Sequence, residues 1–257
     1  MLLKDFKKSI FLLILFLFII PINVFAYSDK LIVGGQNIGI TLNSKGILIV
    51  GTYEVNNTSP AKEANLKTWD IITRINGNKV STIEEMATEI NKVKDEKITV
   101  NYLRNDKENE TTLDLYKDEN NIYKTGLYVK DSVTGIGTLT FIDPNTKIFG
   151  ALGHEIQEQT TGEIFEIDDG TIFTSKVTGV LPSTDGSPGE KKAEYNKTNI
   201  TGKVNENTTQ GIFGEYTANI NNSKTYDVAE PKEIKKGKAK ILTVLNNTEI
   251  KEYEINI

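Results

Sequence analysis

His154 is the only histidine of the 257-residue chain, and it lies in the segment FGALGHEI at residues 149–156. An imidazole can accept a proton near neutral pH and return it later, which is what a general base must do. Such a base needs a nucleophile to activate and a group that fixes its tautomer. The alternative is that His154 is a polar residue at the end of a strand, hydrogen-bonded to the backbone.

Three segments offer hydroxyl or acidic groups that could act with this histidine. Ser187, in DGSPG, follows Asp185 and a glycine, and it superficially resembles a glycine-flanked nucleophile. Ser132 precedes a run predicted to be a strand, and it is more typical of a turn. Asp168 opens an Asp-Asp-Gly turn signal, and a role as the acid of a triad is the remoter interpretation.

A metal site is the second chemistry that this segment suggests. HEIQE, residues 154–158, is partly similar to the helical zinc-protease motif, in which two histidines four positions apart bind the metal. Glu158 occupies the second histidine position, and the chain has neither another histidine nor a cysteine. Gly153 and Gly162 leave little room for a helix. We therefore expect no metal and no other cofactor.

The composition narrows the class of partner and the compartment. The net charge is −5 and no basic stripe is present, so nucleic acid is not an expected partner. The absence of cysteine excludes disulfides and thiolate nucleophiles, and it is compatible with an exported protein.

The amino-terminal segment has the pattern of a targeting sequence. Three lysines in the first eight residues precede an unbroken apolar run at 10–20, and the small residue Ala26 follows. The run is short for a bilayer core, which needs roughly 20 apolar residues. Residues 1–26 are predicted to be a signal peptide or a membrane anchor, with the rest of the chain outside the cytoplasm.

Residues 31–118 carry the signals of a small α+β module. A Ser-Pro pair ending at Pro60 opens a short helix, and a buried strand then leads to a tight turn at Gly77. Ser81, with Glu84 three residues later, predicts a capping box at the start of a second helix. Two alternating runs, KITVNYLRN and NETTLDLYK, predict a final hairpin.

The order of these elements resembles a PDZ domain of the type found with bacterial proteases. The segment NIGI at 37–40 matches the carboxylate-binding loop, and residues 59–80 match the SPA…GD.I..ING stretch, except that Trp69 replaces a glycine. In such domains a peptide adds a strand, and the loop amides bind its terminal carboxylate. The peptide-binding residues implied by this resemblance are Ile38, Gly39 and Ile40. A small domain without a ligand is the alternative.

Residues 126–257 have an all-β pattern. Short alternating runs are broken by turn residues about every ten positions, which suits a barrel or a sandwich. Asp143-Pro144-Asn145 predicts one hairpin turn, and Asn246-Asn247 predicts the turn between the last two strands.

Three segments of this region resemble the peptidase domain of the stage IV sporulation protein B family. They are YVKDSVTGIGTLTFIDPNTKIFGALGHEI at 128–156, PGE at 188–190 and TQGIFGEY at 209–216. The resemblance implies a mainly β protein with an α+β module. The expected order is a signal or anchor segment, a PDZ domain, and an incomplete trypsin-like double β-barrel.

The resemblance also implies the role of individual residues. His154 matches the general base of the family, and Glu155 stands where the family commonly has glycine. The family's aspartate and its Gly-x-Ser-Gly-Ser-Pro nucleophile follow the last hairpin seen here, and none of the 257 residues matches them. Activity is therefore implied by the family, but the chain lacks two of the three groups.

The family implies an exported serine endopeptidase of endospore-forming bacteria that acts between the two membranes around the forespore. It cleaves a membrane-bound protein regulator of an intramembrane protease, which then matures a late sigma factor. The PDZ domain would bind peptide termini, and the amino-terminal segment would contact the membrane.

The alternative function is an inactive truncated paralogue, or one half of a split gene, that serves as a peptide-binding module. A barrel cut short would leave an open strand edge able to pair with another chain.

Overall fold

The computed structural model describes residues 28–221 and 223–257, so the predicted signal or anchor at 1–26 lies outside the described residues. The strands are β1 (Lys30–Val33), β2 (Asn37–Thr52), β3 (Ile71–Ile75), β4 (Asn78–Lys79), β5 (Lys97–Arg104), β6 (Lys107–Asp114), β7 (Tyr116–Lys117), β8 (Tyr123–Lys124), β9 (Leu127–Ile142), β10 (Ile148–Ala151), β11 (Asp169–Leu181), β12 (Glu190–Thr208), β13 (Gly211–Tyr216), β14 (Thr225–Asp227), β15 (Lys238–Val244) and β16 (Ile250–Asn256). The helices are α1 (Pro60–Glu63), α2 (Ile83–Asn91) and a 3₁₀ turn (Pro231–Glu233). None of these helices is both long enough and apolar enough to cross a membrane. The mainly β class is confirmed.

Six long strands close into an antiparallel barrel. They are hydrogen-bonded in the order β9, β10, β13, β12, β11 and β2, and β2 pairs again with β9. The pairing of β2 with β9 closes the barrel around one apolar core. The core contains Ile38, Ile40, Leu42, Leu139, Phe149, Phe165, Ile172, Val204 and Ile212.

The α+β module is built on the second half of β2. Strands β3, β5 and β6 continue the sheet from β2, and α1 and α2 belong to the same unit. The predicted short helix and final hairpin are confirmed. The predicted cap is displaced by one residue, because Thr82 and Glu85 form the capping box. Glu85 also accepts from the Ser81 amide, so Ser81 precedes the cap.

The strand β2 belongs to both units. Its register shifts between Asn43 and Leu48, and this irregularity carries the strand from the barrel into the second sheet. Beyond that point alternate side chains face different cores: Ile47 and Ile49 face the α+β core, whereas Leu48 and Val50 face the barrel core. The barrel therefore takes its sixth strand from the segment 31–118, which the sequence analysis assigned to the PDZ domain.

The last two strands form a separate hairpin. β15 and β16 pair only with each other, and Asn247 lies in the predicted turn with φ of 54°. The Val177 amide and carbonyl exchange hydrogen bonds of 2.8 Å with Asn247, which attaches the hairpin to the barrel. The described residues contain one closed barrel, and the second barrel of the expected pair is not formed by them.

Candidate active site

A strained turn at the end of β10 places His154. Leu152 and Gly153 follow the strand with φ of 73° and 82°, a region that branched side chains seldom adopt. Such a conformation costs about 1–3 kcal/mol and persists only where the surroundings impose it. The Leu152 amide donates to the Thr138 carbonyl at 3.1 Å, and its side chain lies against Gly137. A Cβ at Gly137 would lie 2.3 Å from Leu152 Cδ2, so this glycine makes the turn possible.

His154 is exposed, and its hydrogen bond fixes its tautomer. The distance from Nδ1 to the Glu155 carbonyl oxygen is 2.8 Å. A carbonyl only accepts, so Nδ1 must carry the proton in this contact. The neutral imidazole then has its lone pair on Nε2, the atom that a general base uses. A backbone carbonyl thus takes the orienting position that a carboxylate occupies in a serine-peptidase triad.

Asn207, near the end of β12, holds the segment that follows His154. The side-chain Nδ2 of Asn207 donates to the backbone carbonyl oxygens of Ile156 and Phe165 at 2.8 and 2.9 Å. Its side-chain Oδ1 accepts from the backbone amide of Ile156 at 2.9 Å. The sequence analysis missed this residue, because a single asparagine in a polar strand carries no periodic signal.

Glu158 anchors the same segment to β9. Its side chain is fully buried and ion-paired with Lys130, and it accepts from the Thr160 and Thr161 amides at 2.8 and 2.9 Å. Burial raises the pKa of Glu158, but the hydrogen bonds from Lys130 and Thr161 outweigh it and leave the pKa below its ordinary value. This carboxylate is therefore structural and charged. The sequence analysis considered it only as a departure from a zinc motif.

A groove of about 470 Å³ runs between β9 and the loop at 154–159. Ser132, Gly135 and Ile136 lie on the β9 side, and His154 lies on the loop side. Ser132 is inside strand β9, so the interpretation as a turn residue is wrong. Its hydroxyl donates to Asp131 Oδ1 at 3.0 Å. Among the described residues, His154 makes no hydrogen bond to a serine hydroxyl or to a carboxylate.

The other candidate residues lie elsewhere. Ser187 and Thr184 form a tight turn just before the first residue of β12. The loop after His154 is held by Asn207, near the last residue of the same strand. The Asp168 amide donates to the Asn43 carbonyl at 2.9 Å at the entry to β11. The structure therefore brings neither of them to His154.

The zinc-like segment HEIQE is not helical. Gln157 forms a β-bridge with Ile164, and Glu158 turns inward to Lys130. In the described part of the chain, no group of three or more acidic, histidine or cysteine side chains is placed to hold a metal.

The proposed peptide-binding residues form a strand, although the sequence predicts a loop. Residues 38–40 pair with β11 on one edge and with β9 on the other. Ile38 and Ile40 are buried in the barrel core, and a Cβ at Gly39 would lie 2.0 Å from the Phe173 ring. Their backbone groups are thus already hydrogen-bonded within the sheet. Peptide binding through Ile38, Gly39 and Ile40 stays a prediction, and it requires β9 or β11 to separate from β2.

The turn at Trp69 has a backbone conformation that favours glycine. Trp69 adopts φ of 76°, where a glycine is normally found, and its amide donates to the Ile49 carbonyl at 2.9 Å. The buried Asp70 accepts two hydrogen bonds of 2.6 Å from Arg104 and one of 2.8 Å from the Lys67 amide. The hydrogen bonds to Asp70 raise the pKa of Arg104, and this ion pair holds the turn against β5.

Two family models match the chain in the order inferred from the sequence. A PDZ domain model matches residues 37–115, and a SpoIVB peptidase S55 model matches residues 121–257. The second match covers more than half of the chain.

Individual proteins match the PDZ region. The zinc metalloprotease RasP of Shouchella clausii (strain KSM-K16) is 37% identical over 81 residues, which is 32% of this chain and 18% of that protein. The chain thus spans less than a fifth of that relative. The crystal structure of the PDZ domain of an SdrC-like protein from Listeria monocytogenes is 22% identical, and the match covers 34% of this chain and 90% of that chain with a TM-score of 0.30.

The peptidase match includes β10, the turn at Leu152 and Gly153, and the histidine that this turn presents with a free Nε2. With the PDZ match before it, the order of domains is that of a sporulation-related protease. The chain belongs to the SpoIVB peptidase S55 family.

Proposed function

We propose that the chain supplies the general base of an exported serine endopeptidase in sporulation signalling. The observation that carries the proposal is the state of His154, which lies at the mouth of a groove with Nδ1 bonded to the Glu155 carbonyl. This contact leaves Nε2 available to a serine hydroxyl.

The chemistry follows from that tautomer. Nε2 would take the proton of a serine Oγ while the oxygen attacks the scissile carbonyl, and it would then give the proton to the leaving amine. Water would hydrolyse the acyl-enzyme with the same histidine as base. The serine would come from residues other than these 257, because none of them matches the family's nucleophile segment. A triad aspartate supplied with it would replace the Glu155 carbonyl as the acceptor of the Nδ1 proton.

The biological reaction proposed is cleavage of a membrane-bound protein regulator, which would release an intramembrane protease to mature a late sigma factor. The family membership supports this reaction. The site of action would be the space between the two forespore membranes, with residues 1–26 as signal or anchor.

A peptide-binding module without catalysis is the second candidate function. A PDZ domain implies peptide binding, and the described residues give His154 no serine partner. In this case the chain would act by binding the regulator's tail rather than by cutting it.

Sporulating cells that carry single substitutions separate these two functions. His154→Gln should make the sigma-factor precursor accumulate on immunoblots to the same extent as deletion of the gene. Ser187→Ala, the matched control outside the site, should process the precursor normally. Normal processing in the His154→Gln strain, together with loss of processing in the deletion strain, would reject the catalytic role and favour the binding module.

A further inference from the structure

One stretch of β9 has a strand on only one side. Residues 127–138 of β9 pair with β2, whereas pairing with β10 begins at Leu139 and pairing with β1 begins at Phe141. In the part of the chain that the structure describes, residues 130–136 have no strand on their second edge. Such an edge offers a row of backbone donors and acceptors to an extended chain.

This edge forms one wall of the groove that contains His154. The opposite wall is the loop at 154–159, which is held by Asn207 and by the ion pair between Glu158 and Lys130. Both walls are therefore fixed before anything binds, which reduces the ordering cost of binding.

The charges along the groove select one class of side chain. Lys130 is neutralised by the buried Glu158. The Glu155 carboxylate also lines the groove, and its hydrogen-bond partner there is the neutral amide of Gln157 at 2.9 Å. Among the described residues that line the groove, Glu155 is therefore the one acidic side chain without an ion-pair partner, and it lies next to the base.

We propose that the groove binds an extended peptide segment that adds as a strand to β9 and places a lysine or arginine beside Glu155. The exposed β9 edge supplies the main-chain hydrogen bonds, Ile40, Val133 and Ile136 supply apolar contacts, and Glu155 supplies the preference for a cation. The identification of this peptide as a substrate segment rests on the proposed function, but its binding does not.

The single histidine gives a direct probe of this site. The full chain in detergent, with ¹⁵N-labelled histidine, should give the two ring-nitrogen signals of a single imidazole by NMR, and these need no assignment to a residue. The ligand is a ten-residue peptide of alternating apolar and small residues with one central lysine. Its carboxyl terminus is amidated, so it cannot bind through a PDZ carboxylate loop.

The proposal predicts a saturable shift of the His154 signal. Methylation of alternate peptide nitrogens should weaken binding about threefold to tenfold for each hydrogen bond lost, since one such bond contributes about 0.5–1.5 kcal/mol. Exchange of the lysine for glutamate should weaken binding about fivefold, because an exposed ion pair contributes up to about 1 kcal/mol. Glu155→Gln should remove this discrimination. Glu163→Gln, in the same connection between β10 and β11 but outside the groove, should keep it.

Several outcomes would overturn the proposal. They are an unshifted His154 signal at millimolar peptide, equal affinity for the methylated peptide, or a lysine preference that survives Glu155→Gln. A shift that depends on protein concentration without peptide would assign the edge to a second copy of the chain instead. Because binding is measured without catalysis, a failure here is distinct from a failure of the proposed peptidase role.

Discussion

At the scale of single residues, the site depends on side chains that hold the backbone around His154. Asn207 makes three hydrogen bonds across the barrel, two to Ile156 and one to Phe165. Glu158 makes a buried ion pair with Lys130. These contacts act on the loop and not on the imidazole, so both are positioning residues.

Asn207→Ala should destabilise the protein by about 2–3 kcal/mol, because it leaves three half-buried backbone groups without a partner. The free energy of unfolding from urea titration measures the change. Asn205→Ala, an exposed position on the same strand, is the control and should stay within about 0.5 kcal/mol of the parent. Equal effects of the two substitutions would show that the contacts of Asn207 are not stabilising.

Glu158→Gln should lower the stability by about 2–4 kcal/mol at pH 7, and the loss should shrink in acid. The folded-state pKa of Glu158 lies below its ordinary value of 4.5. Its contribution is therefore fully present above the unfolded-state pKa and disappears as the pH falls through the lower folded-state pKa. Urea midpoints of parent and variant at pH 7 and pH 3 test this.

The exposed Glu166→Gln serves as the control for that series and should show no such pH-dependent difference. A constant gap between parent and Glu158→Gln at both pH values would mean that the pKa of Glu158 is the same in the folded and the unfolded protein, which would contradict the lowered folded-state pKa.

At the scale of elements, β2 departs most from what the sequence predicts. Its glycines and alternating isoleucines suggest two strands and a ligand loop, but local patterns do not show which strands flank them. Ile38, Ile40 and Leu42 are buried in a barrel whose other strands lie about 90 to 180 residues later in the chain. The hairpins around β5 and β10 were predictable because their partners are sequence neighbours.

Gly39→Ala distinguishes the two roles considered for that glycine. If its function is to admit the Phe173 ring, a methyl group should cost about 1–3 kcal/mol through overpacking. Gly51→Ala, on the same strand with 3.4 Å to the nearest atom, should change the free energy of unfolding far less. Thermal unfolding of the two variants measures this. A fully stable Gly39→Ala variant would favour a role in ligand binding alone.

At the scale of the whole molecule, the shared strand joins peptide recognition to the peptidase barrel. β2 contributes Ile47 and Ile49 to one core and Leu48 and Val50 to the other. A second link is Asp131, next to the groove, which accepts from the Ile83 amide at the start of α2 at 2.9 Å. The order of the two domains follows from sequence motifs, but this sharing does not, because it depends on pairing across the domain boundary.

The end of a strand beside His154 was predictable from the sequence, and the arrangement around this residue was not. FGALGHEI indicates a histidine at the end of a strand, which the structure places in a strained turn. The contacts from Asn207 and Lys130 join segments that are distant in the chain, and no local spacing indicates them. Ser187 looks like a nucleophile in sequence and is separated from His154 by the length of β12.

Serine-directed labelling by a fluorophosphonate tests most directly whether His154 is the general base. The full chain is labelled alone and together with an added polypeptide that carries the family's Gly-x-Ser-Gly-Ser-Pro segment. The account predicts that the chain alone is unlabelled, that the serine of the added polypeptide is labelled, and that His154→Gln abolishes this labelling. Labelling of the chain alone that is lost on Ser187→Ala or Ser132→Ala, or labelling that survives His154→Gln, would contradict it.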